Sequence, residues 1–228
     1  MSKASPRDRL AQAAFELFDE RGYEQATIDD ITERAGVGRT TFFRHFRSKE
    51  DVIFPDHDRL LEQIRERLRT SGHGTALAAV SDAVRLVLLH YLDEGDLARR
   101  RYALTSSVPA LRAREIATVA RYQRLFREFI AGWMEQAEAA EHATPGKALW
   151  AELMAASVVA AHNHVLRRWL RGESPDPVRE LDDAMQEVIG LFAPDGNPAR
   201  TGTTIVAFRS TADIDTLLPA LRQVITQR

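Results

Sequence analysis

Residues 27–53 read TIDDITERAGVGRTTFFRHFRSKEDVI, and this stretch decides how the rest of the chain is understood. Thr27 offers a helix cap, and Asp30 three residues on completes a capping-box pattern. Ile28, Ile31 and Ala35 then fall on one face of a short helix. Gly36 stops it, because glycine accepts the positive φ that a sharp turn needs. Val37 and Phe42 supply apolar plugs between this helix and a second one that starts at Gly38. That arrangement leaves Arg39, Thr40, Thr41 and Arg44 pointing outward. Two short helices joined by a tight turn are a helix-turn-helix, whose second helix enters a DNA major groove. Arginine can pair with guanine edges, and a threonine methyl can meet a thymine methyl. His45, Arg47 and Lys49 follow where the chain would cross the phosphate backbone. Ser48, with Glu50 and Asp51 behind it, is expected to cap a fourth helix running on through Leu60, Leu61, Ile64 and Leu68. The positive end of that helix would also face phosphate. Pro55 lies inside the pattern and predicts a kink or break.

Charge placement agrees with that reading. The formal net charge of the 228-residue chain is only -2, which argues against coating nucleic acid by bulk charge. Between Arg34 and Lys49, however, four arginines and one lysine occur with no Asp or Glu. A basic patch on a near-neutral protein suits a site-specific binder, because phosphate attraction is confined to one surface. There is no cysteine, so neither a disulfide framework nor a thiolate metal site can form. The first residues, MSKASPRDRL, contain no apolar signal region, and the most apolar stretch, 151–161, falls far short of a bilayer span. The expectation is a cytoplasmic protein with no membrane partner.

Helical periodicity dominates the whole chain. Leu10, Ala13, Ala14, Leu17 and Phe18 form one stripe ahead of Gly22. Leu77, Val80, Val84, Val87, Leu88 and Tyr91 form another, followed by a shorter helix near Leu97 to Thr105. After Pro109 a long stripe runs from Ile116 to Ala137. Leu149 to Trp169 is apolar on nearly every side, which predicts cover on two faces. Val178 to Phe192 gives one more amphipathic helix. Thr203 to Phe208 (TTIVAF) is the best strand candidate. The expected fold class is all-α: an N-terminal three-helix helix-turn-helix domain (1–50), a helical effector-binding and dimerisation domain (51–195), and an extension (196–228) carrying a short strand and a helix.

Residues 7 to 55 resemble the DNA-binding region of TetR-family regulators. The matching elements are Thr27, Ala35-Gly36-Val37, Phe43-Arg44-His45-Phe46 and Ser48-Lys49-Glu50. The family often has Ser where Gly38 stands and Tyr where Phe43 stands. A glycine cap lacks a side-chain acceptor, and Phe43 lacks the phosphate-reaching hydroxyl, a bond worth about 1 kcal/mol. The resemblance implies DNA contacts at Thr27, Gly38, Arg39, Thr40, Thr41, Phe43, Arg44, His45 and Lys49. It also implies a pocket among the later helices, for which Tyr91, Tyr102, Tyr122, Phe126, Trp133, Trp150, His162 and Asn163 are the candidates. Taken singly, each of those aromatics sits at a core spacing and reads as packing.

The expected function is a ligand-responsive repressor that binds a palindromic double-stranded DNA operator as a homodimer and is released by a small lipophilic effector. An acidic group on that effector would suit an arginine or histidine. Dimerisation follows from geometry: one short reading helix makes few base contacts, and a two-fold pair reads two half-sites. The helices from Lys147 to Arg171 and from Pro177 to Phe192 are the expected interface. The alternative is a DNA-binding regulator controlled by a protein partner without a small effector. An enzyme is not expected, since no nucleophile motif, phosphate loop or zinc-protease pattern occurs. His162 and His164, two residues apart, fall on different helical faces, so no metal is expected; no cofactor is expected either.

Overall fold

The computed structural model describes residues 5–72, 74–138 and 146–193. The described residues up to 193 belong to one compact unit. The expected strand at Thr203–Phe208, and the 196–228 extension with it, lies outside the described residues. Among the described residues the fold is all-α. The helices are α1 (Pro6–Arg21), α2 (Ile28–Ala35), α3 (Arg39–His45), α4 (His57–Arg69), α5 (Ala76–Glu94), α6 (Asp96–Ser107), α7 (Pro109–Glu138), α8 (Lys147–Leu170) and α9 (Pro177–Phe192). No described helix is long and apolar enough to cross a membrane.

Local sequence explains most boundaries. Ser5 with Asp8 and Thr27 with Asp30 form reciprocal capping boxes at the starts of α1 and α2. Thr75 and Asp176 cap α5 and α9 by accepting from the amides of Ala78 and Arg179. The expected start of the fourth helix at Ser48 is wrong. Only a three-residue 3-10 turn, Glu50–Val52, forms there, and α4 begins at His57 under an Asp56 cap. Pro55 lacks an amide proton and pushes its predecessor out of helical geometry, so the chain breaks ahead of it. The positive end of α4 therefore does not sit behind Ser48.

Two buried clusters organise the described residues. The first gathers Leu10, Phe15, Leu17, Ile31, Phe42 and Ile53 from the N-terminal segment. Its last fully buried member is Leu111, on the first turn of α7. The second holds Leu61, Ile64, Leu88, Phe126, Ile130 and Val158 from α4, α5, α7 and α8. Polar ties reinforce the seam between the two. Arg100 on α6 pairs with Asp19 on α1, and Arg114 on α7 pairs with Asp51. The start of α8 departs from the expectation of a helix covered on two faces: Leu149, Trp150 and Leu153 are exposed there, while Val158 and His162 further along are buried.

Candidate nucleic-acid interface and ligand cavity

The turn between α2 and α3 is built as its residues dictate. Gly36 adopts φ +64°, and its amide donates to the carbonyls of Glu33 and Thr32. The Val37 amide also reaches the Thr32 carbonyl at 3.0 Å. These bonds satisfy the orphan carbonyls at the end of α2 and reverse the chain within two residues. Phe42 anchors α3, fully buried, with its ring 5.6 Å from that of Phe46. The opposite face presents Arg39, Thr40, Phe43 and Arg44 to solvent, with Thr41 and His45 half-buried at its edges. Gly38 caps α3 without a side-chain hydrogen bond.

The basic run divides by role once folded. Arg34 makes a two-pronged contact with Glu20, both bonds at 2.7 Å, and so ties α2 to α1. Lys49 turns inward. Its Nζ donates to the carbonyls of Tyr23, Ala26 and, at 3.5 Å, Glu24, and lies 4.3 Å from the Tyr23 ring centre. The Tyr23 hydroxyl in turn donates to Glu50 at 2.6 Å. Hydrogen bonds from Ser48 and Tyr23 hold the Glu50 carboxyl below the usual range. Lys49 and Glu50 thus pin the loop between α1 and α2, and the three ammonium donors of Lys49 are occupied. Thr27 is likewise engaged as a cap, with its hydroxyl on Asp30 at 2.5 Å. Arg39 pairs with Asp29 of α2. Arg44 and Arg47 make no ion pair among the described residues.

Behind the seam, a cavity opens between α4, α5, α6, α7 and α8. Five of the sequence-derived effector candidates line it: Tyr91, Tyr122, Phe126, His162 and Asn163. Tyr102 instead lines a separate cleft toward α8. Trp133 packs against the core, and Trp150 lies edge-on to Phe192 at 5.7 Å. Sequence reasoning missed Phe54, His57, Arg101 and Glu115 in the wall. The cavity has a volume of about 60 Å³, several times less than a typical ligand site of roughly 300–1,000 Å³. Its walls are mostly apolar, with polar groups at defined points. His57 Nδ1 and the Tyr122 hydroxyl are 3.0 Å apart. Arg101, 5% exposed, donates through Nε to the Ile53 carbonyl at 2.5 Å and through both terminal nitrogens to Glu94 at 2.6 and 2.8 Å. Its charge is already compensated, so an acidic effector would meet no unpaired arginine in this wall. Nε2 of His162 is buried without a partner.

Burial, with the positive charge of Arg101 next in weight, holds the His57 imidazole down to about 3. Burial likewise lowers His162 to about 4. An unfolded histidine titrates near 6.5. Above that value both states are neutral and stability is unaffected by these groups. Below it only the unfolded chain takes up the protons, so stability falls as pH drops from 6.5 toward 4 and 3. Each histidine contributes a slope of up to about 1.4 kcal/mol per pH unit. Urea midpoints at pH 7, 6 and 5 are expected to decline, and less steeply in His57→Gln; equal slopes in the two proteins would contradict the assignment.

The family described as bacterial regulatory proteins, tetR family, matches residues 10–54, and the MftR C-terminal domain matches residues 75–193. The regulator TcmR of Streptomyces glaucescens is 37% identical over 123 residues, 54% of this chain and about half (54%) of its own length. MftR of Mycobacterium tuberculosis, a candidate transcriptional regulator of mycofactocin biosynthesis, is 28% identical over 79% of this chain and 87% of its own. The structure of Thermus thermophilus FadR in complex with lauroyl-CoA superimposes with a TM-score of 0.55 at 23% identity. That match covers 86% of this chain and all of the other, and is a likeness of fold.

Proposed function

This chain belongs to the TetR family of bacterial regulatory proteins and is a DNA-binding transcriptional regulator; we propose that it represses transcription as a homodimer on a palindromic operator and lets go when a small lipophilic molecule enters the cavity. The observation that carries this is α3, fixed by Phe42 with Arg39, Thr40 and Arg44 exposed on its far side. In this reading Arg39, Thr40, Thr41 and Arg44 meet base edges in the major groove. Gly38, Phe43 and His45 border that contact, and Thr27 and Lys49 hold its frame. Two such helices, one per protomer, read half-sites about 34–36 Å apart or a multiple of that.

Support for the dimer comes from an apolar surface where α8 begins and α9 ends. Leu149, Trp150, Leu153 and Leu191 are 62%, 48%, 45% and 67% exposed. Exposed apolar clusters of this kind mark association surfaces. Two protomers pairing α8 and α9 would cover it.

For release, a ligand must bind better to a state with displaced reading heads, and it shifts DNA affinity by no more than that difference. The cavity is continuous with the seam: Arg101 touches the Ile53 carbonyl, and His57 begins α4. The FadR complex makes acyl-CoA thioesters natural first compounds to try. The small cavity volume favours the second reading, control by a protein partner.

The test is a selection of bound duplexes from a random pool, followed by release assays with lauroyl-CoA and uncharged lipophiles. Sedimentation should show a dimer of the 25.6 kDa chain, and Leu153→Glu should give monomers that lose operator binding. Failure to select any sequence would refute the DNA reading. Selection without release by any compound would favour the partner-controlled alternative.

A further inference from the structure

The arginine at the head of α3 is held on two sides. Its Nη1 donates to Asp29 Oδ1 at 2.5 Å, and its guanidinium carbon lies 5.5 Å from the centre of the Phe43 ring. Asp29 stands on the first turn of α2, and Arg39 on the first turn of α3. Nε and Nη2 of Arg39 make no hydrogen bond among the described residues.

Stability does not account for this arrangement. The two side chains are 59% and 71% exposed, and ion pairs so open to water contribute little. Arg39 also sits in a helix's first turn, where the backbone dipole disfavours a cation, beneath a glycine that supplies no cap. What the pair and the ring do achieve is to favour one orientation of the guanidinium, in which one two-nitrogen edge stays open.

We propose that Asp29 is a positioning residue that sets Arg39 to read guanine. The Nε–Nη2 edge meets O6 and N7 of the base, the two-pronged contact that distinguishes guanine in the major groove. A phosphate contact would not need a fixed plane, and the Asp29 carboxylate beside it would repel the phosphate. The operator half-site is therefore expected to carry a G·C pair where the first turn of α3 lies. This inference rests on the reading of α3 as the groove helix.

The experiment uses the full chain. Duplexes are selected from a random pool, and dissociation constants are then measured for duplexes that differ only at the assigned base pair. The parent is expected to prefer guanine there by roughly 5- to 150-fold. Asp29→Ala should lose most of that preference, keep its preferences at the other positions, and unfold within about 4 °C of the parent, the cost of removing an acid from the first turn of α2. Asp29→Asn, which keeps an acceptor but no charge, should fall between the two. The proposal is overturned if Asp29→Ala still favours guanine as the parent does, if it weakens all sequences by one common factor, or if the parent selects another base there. A parent that selects no sequence at all overturns the reading of α3 itself, and this inference with it.

Discussion

Replacing Arg39 and Arg44 together by alanine is expected to abolish selective operator recognition while the fold survives. Each arginine, if it makes a two-pronged base contact, accounts for about 1–3 kcal/mol of discrimination. Losing both removes about 2–6 kcal/mol, or roughly 30-fold to more than 10,000-fold in affinity for the selected site. The dependence of binding on salt should also flatten, since two cations leave the interface. The fold should tolerate the change because both side chains are exposed and α3 is anchored from the other side by Phe42, which is 0% exposed. Titrations of the selected duplex and a scrambled one at two salt concentrations, with circular dichroism melting as the control, give the answer. A double variant that still separates the two duplexes as well as the parent would remove α3 from the groove.

The second large effect concerns Arg101. Its side chain and that of Glu94 are 6% and 16% exposed, so the pair is largely out of water. Arg101→Met leaves the Glu94 carboxylate without its guanidinium and the Ile53 carbonyl without its donor. Breaking a buried pair from one side costs about 3–5 kcal/mol, because the surviving charge is stranded. The double variant Arg101→Met/Glu94→Leu should recover much of that loss, since neither charge of the pair is then left inside. Denaturant unfolding of parent, single and double variants measures both quantities. If the single and double variants are equally destabilised, the cost comes from packing or from the Ile53 carbonyl, and the ion pair is not its source.

What the sequence made legible follows the range of the forces involved. The helix-turn-helix could be read because its signals are local: Thr27 and Asp30 cap within one turn, Gly36 reverses the chain, and Phe42 repeats the apolar period. The same locality misled at Ser48. Ser-Lys-Glu looks like a helix start, yet Pro55 five residues beyond Glu50 denies the backbone continuity that a helix needs, and the cap passes to Asp56. Five of the eight cavity candidates gather around one space, because inward-facing side chains of α5, α7 and α8 converge there. Trp150 and Trp133 were indistinguishable from them by spacing alone; which inward face meets a void is decided by helix packing. Asp29, Arg101 and His57 carried no signal of their roles. Each depends on a partner between 7 and 65 positions away, and an acid near a helix start or an arginine in a polar helix reads first as a solvated charge.

Leu111 bears on how such proteins can be taken apart and recombined. It lies on α7, more than fifty residues beyond the end of the reading segment, yet it is completely enclosed in that segment's apolar centre. A fragment ending near residue 55 would carry an empty socket, and filling it takes a side chain the fragment does not contain. Chimeras that transplant only the reading segment onto a relative's body would meet a foreign plug at that point. To preserve the fit, the graft must bring the α6–α7 corner along, or match the residue there in size.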